Sequence, residues 1–233
     1  MNSFKLIALL LIAWTIAPVN TYATGKYTGG TSLYSGMPVI ITKAKTDRQD
    51  KFVLFISGDG GWNDFSKKVV DSYTAEGFNV IALNSFKYFW KKKTPQETAN
   101  DIAGLLNAYV NEWHKQKVII CGFSFGADVT PFIYMHLPNE LKNKITLVQL
   151  ISPSSSTDFE IHMTDMFSSG NKARTMNVAS SARLIDIPVI CYYGEEETEK
   201  PLSVVKKANF RMVILPGDHH YAKSYTEIAK NAL

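Results

Sequence analysis

Residues 117–128 read "KVIICGFSFGAD", and this stretch decides the fold. A continuous apolar run ending at Cys121 leads into Gly122-Phe123-Ser124-Phe125-Gly126, and the helical pattern "ADVTPFIYMHL" follows. A G-x-S-x-G pentapeptide by itself occurs by chance in many chains. Between a strand and a helix it acquires a mechanism: the sharp turn lifts the serine hydroxyl above the sheet edge, and the helix N-terminus faces the negative charge that develops there. Ser124 is therefore a candidate nucleophile. Pro131 falls inside the helical pattern, where it lacks a backbone donor and is expected to kink the helix.

Similar apolar runs lie on either side: 37–42, 51–56, 79–83, 145–151, 187–193 and 210–216. Most are unbroken stretches of Val, Ile and Leu, as expected of parallel strands covered on both faces. Helical patterns separate them. Over 95–113, Ala99, Ile102, Ala103, Leu106, Tyr109, Val110 and Trp113 recur at helical spacing. Thr94 is the N-cap of this helix, Pro95 takes its first position and Glu97 completes a capping box. A second helix, 64–76, stops at Gly77. The alternation predicts an α/β fold, with residues 24–233 forming one three-layer domain around a mostly parallel, doubly wound sheet.

Of the 233 residues, 45% are hydrophobic and 20% charged, a globular composition, and the formal charge of +4 is too small to argue for a nucleic-acid partner. The first 23 residues place Lys5 before an apolar run from Leu6 to Trp14, with small residues near Ala23. That is the layout of a secretory signal peptide, and the run is too short to span a bilayer. Cleavage after about Ala23 is expected, with the mature chain in a bacterial periplasm. Cys121 and Cys191 each sit in a strand-like run. Another strand is expected between them, holding them roughly 9–10 Å apart, beyond disulfide reach. Two buried free thiols follow.

A serine hydroxyl needs a base, and the base must stand at the carboxyl edge of the sheet. Of the five histidines, His114 and His136 end helices and so fall at the opposite edge. His162 follows the strand 145–151, while His219 and His220, in "LPGDHHY", follow the last strand, where a loop base is expected when the chain order is serine, acid, histidine. The orienting acid should follow the penultimate strand, where Glu195, Glu196 and Glu197 succeed Gly194. "SGDGGW" (57–62) supplies a glycine-rich loop after an earlier strand, so the amides of Asp59 and Phe125 are candidates for an oxyanion hole. This chemistry calls for no cofactor and no metal.

Taken in order, "SGDGGW", "KYFWKKKTPQETANDI", "GFSFGAD", "ISPSSSTDFEIHM" and "LPGDHHY" resemble the bacterial virulence family AcvB/VirJ of the α/β-hydrolase superfamily, over about residues 37–230. The resemblance implies a periplasmic serine hydrolase with Ser124 as nucleophile. It implies hydrolysis of the aminoacyl ester of lysyl-phosphatidylglycerol, a membrane phospholipid, as substrate chemistry, and type IV secretion proteins as partners; a non-catalytic periplasmic adaptor is the alternative. The superfamily spacing, three residues beyond the glycine that ends the strand, selects Glu197 as the acid. The chain departs from the commoner pattern in using Glu rather than Asp.

"FKYFWKKKTP" (86–95) mixes Tyr88, Phe89 and Trp90 with Lys91, Lys92 and Lys93 at the active edge. Aromatic rings with ammonium groups beside them suit an anionic head group. Asp158, Glu160 and Asp165 follow the strand 145–151 and are placed to face a lysyl amine; the plainer expectation is that Asp158 caps a short helix.

Overall fold

The computed structural model describes residues 27–28, 36–162, 174–221 and 224–233; the expected signal peptide and Asp165 lie outside them. The strands are β1 (Tyr27–Thr28), β2 (Val39–Thr42), β3 (Lys51–Ile56), β4 (Val80–Leu83), β5 (Lys117–Phe123), β6 (Ile145–Ile151), β7 (Ser156–Thr157), β8 (Met176–Asn177), β9 (Val189–Gly194) and β10 (Phe210–Leu215). The helices are α1 (Asp64–Ala75), α2 (Ser85–Tyr88), α3 (Pro95–Glu112), α4 (Phe125–His136), α5 (Asn139–Lys142), α6 (Val178–Ala182) and α7 (Tyr225–Lys230).

Eight of the described strands form one sheet in the order β1-β2-β4-β3-β5-β6-β9-β10. The six from β4 to β10 run parallel, and β2 pairs antiparallel with β4 at the far side. The buried strands read as continuous apolar runs because helices cover both faces. In β3, Phe52, Leu54 and Ile56 join the core on one face while Val53 and Phe55 join the core on the other. Each fully buried Leu, Ile or Phe side chain contributes roughly 1.5–3 kcal/mol. The polar residue in the middle of β6, Gln149, is satisfied: it accepts from the Tyr73 hydroxyl at 2.6 Å and donates to Tyr192 Oη and the Ile228 carbonyl, each at 2.9 Å.

Local signals hold where the chain itself supplies the partners. The capping box at Thr94 is present, with Glu97 N donating to Thr94 Oγ1 at 3.2 Å and Thr94 N to Glu97 Oε2 at 2.8 Å. α1 starts at the Asn63 cap, and Gly77 follows it at φ +90°. α4 runs from Phe125 to His136 with Pro131 inside it. Cys121 on β5 and Cys191 on β9 are both buried free thiols with β6 between their strands. They also belong to the cores on opposite faces of the sheet.

Candidate active site

The central strands end side by side, so the loops after β3, β5, β6, β9 and β10 converge. Ser124, directly after β5, has φ 50° and ψ −119°, a region that costs a residue with a Cβ free energy and persists only where the surroundings enforce it. Here Ser124 N donates to the Ile151 carbonyl at 2.8 Å, and its own carbonyl accepts from Asp128 N at 3.0 Å. The flanking glycines are steric requirements: a methyl on Gly122 would overlap the Gly126 carbonyl, and one on Gly126 would overlap the carbonyl of Ile56 at the end of β3.

His219 Nε2 lies 3.1 Å from Ser124 Oγ, and His219 Nδ1 lies 3.0 Å from Glu197 Oε2. With Nδ1–H donated to the carboxylate, Nε2 is left as the acceptor for the serine proton. The other oxygen, Glu197 Oε1, accepts from the Gly194 amide and from Ser152 Oγ, both at 2.6 Å, and from Tyr221 Oη at 3.3 Å. Tyr221 Oη also contacts Ser152 Oγ. Burial works against the charged form of Glu197, but the bonds from His219, Ser152 and Gly194 outweigh it and hold the carboxyl below its ordinary value. Ser152 and Tyr221 escape a reading of spacing alone; both are buried hydroxyl residues with backbone at positive φ, 48° and 56°.

Packing of neighbouring segments determines which of the alternatives reaches Ser124. The His220 ring lies edge-on to Phe65 at 5.6 Å, while the bond to Ser124 Oγ is made by His219. His162 Nε2 pairs with Asp158 at 2.8 Å instead of with the serine. Glu195 and Glu196 are exposed on the turn after β9. Phe125 is the first residue of α4, so its amide is one of those that a helix leaves without an internal acceptor. Asp59 borders the same cavity as Ser124, and a Cβ on Gly58 would come 3.4 Å from that of Ser124.

The cavity beside Ser124 has a volume of about 260 Å³. Asp158 and Glu160 line it, as does Arg174. Trp90 and Lys92 do not. Trp90, 52% exposed, packs at a tilt against Phe86 at 5.2 Å and borders a separate depression with Lys91. Lys92 reaches the rim, 4.0 Å from Glu160. Lys93 is tied to Asp101 at 3.5 Å and to the Tyr88 ring at 4.6 Å, so it is not among the lysines left for a phosphate. The expectation for Asp158 is also corrected: it caps no helix among the described residues, and its Oδ2 is committed to His162 and, at 3.4 Å, to Arg174. The sequence reading overlooks Asp128, a buried acid one turn after Ser124 that lines this cavity. The available signal was an acid in the first turn of an otherwise apolar helix.

Residues 50–233 match the family described as bacterial virulence protein (VirJ). Comparison with curated protein sequences yields no match. Among solved structures, the chain is similar to a lipase-esterase related protein from Clostridium acetobutylicum, with a TM-score of 0.58, 12% identity and coverage of 83% of this chain and 98% of that one. It is also similar to the esterase domain of a Rhodothermus marinus protein, with a TM-score of 0.57, 11% identity and 83% and 89% coverage. A third is naproxen esterase from Bacillus subtilis, with a TM-score of 0.54, 10% identity and 89% and 88% coverage. At such identities the likeness concerns the fold, which is that of the α/β-hydrolases.

Proposed function

Since the chain belongs to the bacterial virulence protein (VirJ) family, we propose that it is a serine hydrolase that cleaves a carboxylic ester through an acyl-enzyme on Ser124. One observation carries the reading: the hydrogen-bonded series Ser124, His219, Glu197 at 3.1 and 3.0 Å, at the carboxyl edge of the sheet. Ser124 Oγ attacks the ester carbonyl as His219 Nε2 takes its proton. Glu197 keeps the ring in the required tautomer and balances the imidazolium. The amides of Asp59 and Phe125 receive the oxyanion. His219 then hands its proton to the leaving alcohol, and a water activated by the same ring releases the acid.

The finer reading is an exported enzyme acting on the lysyl ester of phosphatidylglycerol. In support, residues 1–23 have the layout of a signal peptide, and the exposed Trp90, with Lys91 and Lys92 beside it, suits an anionic membrane surface. The decisive experiment is labelling by a fluorophosphonate probe: the wild-type protein reacts and Ser124→Ala does not. An unlabelled wild type would turn the interpretation toward an adaptor of a secretion machine. Lipid analysis tests the substrate, with lysyl-phosphatidylglycerol accumulating in a deletion strain and in one carrying Ser124→Ala.

A further inference from the structure

Among the described residues, the cavity holds one buried acid that the proton relay does not use. Asp128 stands in the first turn of α4 and is 6% exposed. Its oxygens accept from neutral donors of Ser154, the amide and the hydroxyl, each at 2.6 Å. The neighbouring acids are arranged differently: Glu197 bonds His219, Asp158 bonds His162 and Arg174, Glu160 faces Lys92 at the rim, and Asp59 is exposed and accepts from the Gly60 amide at 2.8 Å. A carboxylate has about four lone-pair sites, so the two bonds from Ser154 leave acceptor capacity unfilled. The walls are also wrong for a fatty chain, because Phe125 and Ile161 are the only apolar side chains among the described residues that line the cavity.

We propose that Asp128 is the specificity-determining residue of this pocket, accepting the ammonium of an amine-bearing acyl group while Ser124 attacks its ester carbonyl. The assignment rests on the hydrolase reading above and adds to it the residue that recognises the acyl group. Ser124 and Asp128 are one helical turn apart, joined by the bond from Asp128 N to the Ser124 carbonyl at 3.0 Å. An amine carried on the acyl group therefore stays within the same small cavity as the reacting carbonyl. Burial raises the Asp128 carboxyl to about 7, against the lowering effects of the Ser154 bonds and of His219 and with a small raising effect from Asp59. An arriving ammonium supplies the counter-charge that the fold does not.

The test uses lysinamide, which carries the cationic acyl group without an ester, and hexanamide as its uncharged counterpart. At pH 8 the full-length wild type should bind lysinamide at least about tenfold more tightly than Asp128→Asn, because the amide cannot form a hydrogen bond between two full charges, with no comparable difference for hexanamide. In turnover, the kcat/KM ratio of lysine ethyl ester to ethyl hexanoate should fall by about the same factor. Ser154→Ala, which keeps the carboxylate, should retain the preference for the cation. Equal losses on charged and neutral ligands in Asp128→Asn, or a loss of preference in Ser154→Ala matching that of Asp128→Asn, would overturn the assignment. If lysinamide binding depends on Asp128 while neither ester is cleaved, the hydrolase reading fails and the cation site stands.

Discussion

Glu197 and His219 meet at 3.0 Å from the ends of two paired strands, because the register of β9 and β10 sets Gly194 beside Leu215 and the two loops leave the sheet together. A methyl on Gly194 would overlap the Asp218 carbonyl, so glycine is needed for that approach. Glu197→Gln should therefore leave the fold intact and lower kcat by about 10²–10⁴-fold, since the amide can stabilise the wrong imidazole tautomer and carries no charge. Stopped-flow hydrolysis of an activated ester, with circular dichroism as the fold control, measures this.

The two adjacent histidines should separate sharply. His219→Ala removes the group in contact with Ser124 and should lower turnover by about 10³-fold or more. His220→Ala removes a ring packed on Phe65 and Phe123; its cost should be seen in the melting temperature, with turnover falling less than about tenfold. Comparable losses of turnover in both variants would refute this division.

Gly126→Ala should be among the most damaging small substitutions in the chain. The added methyl meets backbone at Ile56 and Ser57, which cannot swing aside as a side chain can. A loss of about 3 kcal/mol or more is expected, whereas Gly60→Ala meets only the Asn63 side-chain amide at 3.1 Å and should cost far less. Urea denaturation of the two variants compares them.

Asp128 should weaken the folded state above neutrality. Its carboxyl is raised from 3.8 to about 7 by burial, so between these values the unfolded chain has released a proton that the folded chain keeps. Stability from this group is therefore full below about pH 4 and lost as pH rises to about 7. Asp128→Asn should raise stability over the wild type at pH 8, on the order of a few kcal/mol, with the difference shrinking toward pH 4. A difference independent of pH would refute it.

The thiols give a check on the strand order. Burial pushes the Cys121 thiol up to about 12 and that of Cys191 higher still. Both should resist alkylation in the native protein and react together on unfolding, with no disulfide released by reductant.

The sequence alone determined the features whose physics is local. Continuous apolar runs marked the buried strands, Thr94 and Glu97 marked a helix start, and glycines around Ser124 marked a turn between strand and helix, because each depends on residues a few positions apart. Chain order also placed acids after β9 and histidines after β10, the strands whose loops meet near Ser124. Tertiary structure decided which of several equivalent neighbours reaches Ser124. Glu195, Glu196 and Glu197 are chemically alike in sequence, and only Glu197 meets Ser152, Tyr221 and the Gly194 amide. The His219 and His220 rings meet edge-on at 5.6 Å, yet Phe65 packs on His220 while Glu197 and Ser124 bracket His219. Asp158 looked available from its position, yet Arg174 and His162 occupy it; Asp128 looked like one residue of a helix, yet it borders the cavity. Side-chain direction and counter-charge come from segments far apart in the chain, which no local pattern encodes.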